Sequence, residues 1–250
     1  MNLEWAVLLL AALLAGGLNA VAGGGSFLTL PALVFAGVPP VAANASGTLA
    51  LLPGYVASAL GFRRELAGLD RRQLGLTLVL SLVGGAAGAG LLLITPNTAF
   101  QRIVPWLLLV ATLLFALAPW LLARFARLGK GEAGGGATAA GVAIVSVYGG
   151  YFNGGLGILL LAMYGLLGER SLNRANALKN LVSAVLTTIA AVLYALGGVV
   201  VWQKALPMMI AAVIGGDLGA RLGRRLPPPI LRSAIVLTGI VMAALFFARS

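Results

Sequence analysis

Two short clusters of glycine, amide and hydroxyl residues are the parts of this 250-residue chain equipped to do chemistry. The first is Gly23, Gly24, Gly25 and Ser26 with Asn44, Ser46 and Thr48; the second is Asn153, Gly155 and Gly157 with Asn176, Lys179 and Asn180. Glycine lets a ligand approach backbone N–H groups closely, and a helix that starts there presents its positive dipole end. The chemistry this favours is anion binding, since a cation would need helix C-termini, carbonyls or carboxylates. The pairs 44/48 and 176/180 each fall on one helix face, and Ser183 extends the second face by a turn. Lys179 is the one cation in these stretches; it can offset part of an anion's charge or snorkel to the interface. Asp217, far inside an apolar stretch, reads as a coupling carboxylate, as a partner of Lys179, or as a partner of Arg221 four residues on.

The glycines also have a packing reading, because small residues let membrane helices approach closely. Gly84, Gly88, Gly215 and Gly219 are spaced by four and fit it, whereas the runs near 23 and 154 are clustered. Pro31, Pro53 and Pro105 mark kinks or half-helix boundaries.

The elements that must hold these clusters are membrane spans. Hydrophobic residues make up 60% of the chain and charged residues 9%, against about 25% charged in soluble domains; mean hydropathy is +1.04. Apolar stretches run from about Trp5 to Ala22, Val41 to Phe62, Leu74 to Ile94, Ile103 to Leu122, Ala137 to Leu167, Ala177 to Val201, Ala205 to Leu222 and Ile230 to Ala248. Each is long enough for a hydrocarbon core of about 30 Å. So little lies between them that no soluble catalytic or regulatory domain is expected. The net charge of +11 sits in short loops and suits topology and lipid headgroups rather than nucleic acid. With no cysteine and no histidine, thiol nucleophiles, His relays and zinc or haem sites drop out, so neither metal nor cofactor is expected. The first 22 residues resemble a signal peptide, but Glu4 and their internal copy predict that they belong to the fold.

That copy is visible at an offset of 132, which brings Gly23 to Ser26 onto Gly155 to Ile158 and Ala43-Asn44-Ala45 onto Ala175-Asn176-Ala177. An offset of 131 brings Gly84, Gly88 and Pro96 onto Gly215, Gly219 and Pro227. The chain therefore reads as two transmembrane repeats, 1–128 and 137–250, joined by a Gly-rich linker at 129–136. Eight single crossings would divide Lys and Arg almost evenly between the two sides. If the first and fifth stretches are instead re-entrant hairpins, only Arg102, Lys204 and Arg249 fall outside, as the positive-inside rule prefers. Three true crossings per repeat then invert the second copy. The expected fold is an all-α integral membrane protein of about eight hydrophobic segments in two inverted repeats, each with a glycine-broken re-entrant hairpin followed by three crossings.

The run Ala22 to Pro31, Gly37, Ala43 to Ser46 and the second-half run Gly149 to Gly157 resemble the sulfite exporter TauE/SafE family of bacterial membrane proteins. The resemblance implies export of sulfite or an organosulfonate such as sulfoacetate across the inner membrane. Gly23 to Ser26, Pro31 and Asn44 to Thr48 fit its first motif; Gly149 to Gly157 and Asn176 to Asn180 fit its second. The second copy departs at Ile158, where a small residue is expected, and at Met163, where Pro31 predicts a proline. The expected function is a secondary carrier of a small anion with its site between the repeats, in a multi-pass protein of the bacterial inner membrane. Expected partners are that anion and membrane lipid, with protons as a coupling ion and a second copy in a homodimer as further candidates. An anion channel or an uptake permease for another small anion or sulfur compound is the alternative. An intramembrane enzyme, which would need a nucleophile or an acid–base pair, and a scaffold are weaker readings.

Overall fold

The structure, a computed structural model, describes residues 3–21, 24–66, 69–128, 135–169, 171–222 and, between 233 and 247, residues 233, 236, 237, 239–241, 243, 244 and 247. Among the described residues every regular element is helical: α1 (Leu3–Val21), α2 (Ser26–Phe35), α3 (Pro40–Gly61), α4 (Arg63–Leu66), α5 (Arg71–Ile94), α6 (Asn97–Leu128), α7 (Gly135–Tyr151), α8 (Leu156–Leu166), α9 (Leu172–Leu196) and α10 (Trp202–Leu222). The described residues between 233 and 247 are helical too. Of the expected 129–136 linker, residues 129–134 lie outside the described ones, and α7 already begins at Gly135. By length and composition, Arg71–Ile94 and Asn173–Leu196 can each cross a membrane unaided. Leu10, Val79, Ile94, Trp106, Ile144, Leu196 and Ile210 lie exposed on the outside of the bundle, as a lipid-facing surface requires.

The two apolar stretches expected to be broken are broken, and in the same way. The chain leaves α1 through Gly24 at φ +117° and leaves α7 through Asn153 and Gly155 at φ +62° and +69°, left-handed conformations in which glycine carries no Cβ penalty. Each short return helix then ends in a Schellman turn. Val38 N–H bonds to Leu33 O and Gly37 N–H to Val34 O; Glu169 N–H bonds to Tyr164 O and Gly168 N–H to Gly165 O, each 3.0–3.2 Å. Gly37 and Gly168 supply the left-handed residue that this turn needs.

Both hairpins are re-entrant. Lys204 Nζ reaches Glu4 at the start of α1 and the Ala36 carbonyl at the end of α2, so the two arms begin and finish at the same end of the bundle. Gly25, at the start of α2, lies against Leu51 near the middle of α3. In the second hairpin Gly149 packs on Leu156 and on Leu186 near the middle of α9, while Gly141 meets Met163 and Leu167. Each return helix is therefore about half a bilayer long, roughly 15 Å, and starts at mid-depth.

The hairpins are held by helices of the other half of the chain. α1 runs along α10, and α5 runs along α7. Glycines permit both contacts: a Cβ on Gly215 would overlap the Leu13 carbonyl and one on Gly219 would overlap Gly17, while Gly84 abuts Ala143 and Ser146, and Gly88 abuts Val147 and Tyr151. Both pairs run parallel. α3 and α9 run antiparallel, with Ser46 early in α3 beside Val201 just past α9, and Tyr55 late in α3 level with Thr187 in mid-α9. Two copies related in this way must enter the membrane in opposite senses, which is the inversion that three crossings per copy predict.

Candidate functional site

The start of α2 combines three features that α-helices in lipid rarely show together. Its N-cap, Gly25, offers no side chain to its first N–H groups. A Cβ on Gly25 would lie 2.7 Å from the Ala15 carbonyl and 3.1 Å from the Leu51 methyls, so only glycine fits. The hydroxyls of Ser26 and Thr29, one turn apart on α2, are 5% and 0% exposed and have no hydrogen-bond partner among the described residues. Thr29 Oγ1 points at Gly47 of α3, 2.8 Å from where a Cβ would be. Asn19 Oδ1 on α1 and Ser183 Oγ on α9 are likewise buried without a partner among the described residues. Each such group costs about 1–3 kcal/mol, and more in hydrocarbon. Ser26 and Thr29 are the two O–H donors among them on the first turn of α2, and they mark a place able to receive an acceptor oxygen or an anionic group.

The second break has the opposite character, because its polar groups are already engaged. Tyr194 donates to the Gly150 carbonyl, Asn44 Nδ2 to the Tyr151 carbonyl at 3.0 Å, and Tyr148 to the Gly154 carbonyl at 2.6 Å. Asn153 accepts from Tyr55 of α3 at 3.0 Å through Oδ1 and donates to Thr187 of α9 at 3.2 Å through Nδ2. Tyr55 and Thr187 are themselves related by the 132-residue offset, so this amide sits across the repeat junction. α8 then starts at Gly155, held against Ala111 of α6, and its first turn of Leu156, Gly157 and Ile158 is buried.

The two breaks meet the same stretch of α3. Ala15, Leu51, Tyr55, Ala184 and Ala212 form one buried cluster that joins α1, α3, α9 and α10. Of the other residues singled out in the sequence, Ser46 accepts from Val201 N–H at 2.9 Å and so anchors the connection into α10. Thr48 and Asn180 are buried, while Asn176 and Lys179 are half-buried on α9. Lys179 lies seven residues into α9, roughly 10 Å along it, with no acidic partner among the described residues. Asp217 lies on the exposed face of α10. Gly23 lies outside the described residues, whereas Gly24 is buried at the break. Among the described residues no three His, Cys, Asp or Glu side chains gather as a metal site would need.

Sequence reasoning passed over Asn19, Thr29, Tyr55, Tyr148, Thr187 and Tyr194. A usable signal existed for two of them: Tyr55 and Thr187 stand eleven residues beyond Asn44 and Asn176, on the same helix faces and at the same repeat offset.

Among known proteins, the family model described as Sulfite exporter TauE/SafE matches residues 8–246. The chain is 30% identical over 244 residues to the probable membrane transporter protein YfcA of Escherichia coli K12, covering 95% of this chain and 87% of that one. It is 28% identical to a probable membrane transporter protein of Haemophilus influenzae, covering 96% and 92%, and 27% identical to one of Sinorhizobium, covering 95% and 90%. No solved structure matches the chain significantly. A match that begins inside α1 and runs to the last described helical residues takes in both glycine breaks and every helix between them, and it makes this chain a bacterial multi-pass membrane transporter of the sulfite exporter TauE/SafE family.

Proposed function

We propose that the chain is a secondary carrier that moves a small anion, sulfite or an organosulfonate such as sulfoacetate, outward across the bacterial inner membrane. The two repeats, 1–128 and 137–250, rock about a site at mid-depth where α2 begins. The observation that carries this reading is the pair of unpartnered hydroxyls, Ser26 and Thr29, at a helix start held halfway down α3. A helix N-terminus with two free O–H donors suits an anionic oxygen and disfavours a cation. The carbonyls of the second break, which a sodium ion would use, are occupied by tyrosine and asparagine donors. Asn44, Ser46 and Asn153 then act by holding the site's walls, and Gly24, Gly25, Ser26 and Thr29 by touching the anion. Outward movement of one negative charge down an inside-negative potential of about 100 mV gains about 2.3 kcal/mol, so net export needs no further energy source at modest gradients.

The test is flux of sulfite and of sulfoacetate in proteoliposomes at a set membrane potential. Saturable, potential-driven flux is expected. Ser26→Ala combined with Thr29→Val should raise KM about a hundredfold or more, as for two lost hydrogen bonds to a charged group. Thr95→Ala, which removes an exposed hydroxyl bonded within its own turn to Leu91, should leave KM unchanged. Saturable flux with the same KM in both variants overturns the placement of the site. Flux that rises linearly with anion concentration, without exchange, supports a channel instead.

A further inference from the structure

The two ends of the bundle differ at positions that the repeats make equivalent. At one end Lys204, in the first turn of α10, donates from Nζ to Glu4 Oε1 at 2.6 Å and to the Ala36 carbonyl at 2.6 Å. One ammonium thus ties together the start of α1, the end of α2 and the start of α10. Its side chain is only 19% exposed, and the Ala36 carbonyl belongs to the C-terminal end of α2, where the helix dipole is negative. At the other end α5 and α7 make the corresponding parallel pair, but the residue of α5 that answers to Lys204 is Gln73, and α7 opens with Gly135 and Gly136. The ion pair at that end, Arg174–Glu169 at 4.0 Å, joins the end of α8 to the start of α9, and among the described residues no ion pair joins α5 to α7. Instead a cavity of about 520 Å³ separates the two helices, lined among others by Asp70, Arg72, Gln73, Thr77, Thr138 and Val142. Beyond Thr77 and Val142 the helices close again where Gly84 meets Ser146.

We propose that the Glu4–Lys204–Ala36 clamp is the closed gate of this carrier and the α5/α7 cavity its open mouth, so that the structure is one of two access states. The proposal rests on the alternating-access reading above. Arg63, Arg64, Arg71 and Arg72 gather at the cavity end, which puts the mouth on the cytoplasmic side and the clamp outside. Reaching the other state requires the shared end of α1 and α2 to part from α10, and both bonds of Lys204 must break for that. Arg174–Glu169, the ion pair at the cavity end, joins the end of α8 to the start of α9 and not α5 to α7, so the clamp, which ties both arms of a hairpin to the helix packed along it, makes the two ends unequal and favours the inward-facing state. A device of this kind shifts populations by its differential stability in the two states.

The absence of native cysteine allows single-cysteine reporters to be read without background. Thr138→Cys reports the mouth, and Leu8→Cys, fully buried one turn below Glu4, reports the gate. Each is labelled with a membrane-impermeant maleimide, in inside-out and right-side-out vesicles respectively, without substrate. With the clamp intact, Thr138→Cys should label and Leu8→Cys should not. Lys204→Met should raise labelling at Leu8→Cys and lower it at Thr138→Cys, each by about tenfold, the order expected for lost hydrogen bonds to a charged group. Glu4→Gln should move both in the same directions by less, and Lys204→Arg, which keeps the donors, should restore both. Unchanged labelling in Lys204→Met and Glu4→Gln, or a rise at both reporters, overturns the gate. Because no anion is used, a reciprocal shift without any flux would refute the proposed substrate and spare the gate, whereas saturable flux with unchanged labelling would do the reverse.

Discussion

Leucine in place of Asn153 is expected to destabilise the protein by about 3–8 kcal/mol and to remove transport. Three costs add. Tyr55 loses the acceptor for its hydroxyl and Thr187 loses its donor, and a buried polar group left without a partner costs about 1–3 kcal/mol. A branched side chain must also adopt φ near +62°, which costs roughly 1–2 kcal/mol for a residue other than glycine, asparagine or aspartate. Asn153→Gly separates these terms, because it keeps the backbone conformation and loses only the amide. Thermal unfolding in detergent, followed by tryptophan fluorescence, should rank wild type above Asn153→Gly and Asn153→Gly above Asn153→Leu. Flux measured on the same preparations should fall in the same order. A leucine variant as stable as wild type would show that the amide holds nothing across the repeat junction.

Gly88→Leu on α5 is expected to prevent most of the chain from folding, while Gly90→Leu two residues away is expected to change stability by less than about 0.5 kcal/mol. A Cβ at 88 would overlap the Val147 carbonyl and lie 2.7 Å from Tyr151 N, whereas one at 90 meets nothing within 4 Å. Overpacking usually costs about 1–3 kcal/mol because side chains can shift; here the obstacle is backbone, so the helices themselves must part. The same contrast should hold between Gly215→Leu and Gly216→Leu on α10, where the first meets the Leu13 carbonyl and the second only Gly16 O at 3.7 Å. The yield of monodisperse protein on size exclusion is the readout. Equal yields within each pair would mean that these glycines are not what brings the helices together.

The hairpins and their breaks were legible in the sequence because glycine runs inside apolar stretches have few other uses, and because the internal copy exposes each break twice. Gly84, Gly88, Gly215 and Gly219 were legible as packing residues from their spacing alone. The partners of the second break were not. Tyr55, Tyr148 and Tyr194 stand in apolar helices, where a tyrosine looks like core until a carbonyl is found opposite its hydroxyl. Asn44, which its sequence setting marks as a ligand-facing candidate, donates to the Tyr151 carbonyl, 107 residues away. Nothing local reveals such a pairing, since it depends on α3 lying against the end of α7. In the sequence Lys204 stands only as one of three basic residues on the less basic side; that it holds Glu4 follows from α10 packing along α1, at a separation of 200 residues.

That α1 packs along α10 and α5 along α7 has a consequence for how the protein is made. When α1 leaves the ribosome, the glycine surface it must meet has not been synthesised; about 180 residues separate the end of α1 from the start of α10. At about 5–20 residues per second this is a wait of roughly 10–40 s. For that time α1, which carries Asn19, Gly16 and Gly17 in its last two turns, has only lipid, the insertion machinery or early neighbours for company. Neither half encodes a self-sufficient unit: a gene cut between α6 and α7 would yield two fragments, each lacking the surface its own hairpin rests on, and stability would return only when both are made in the same cell.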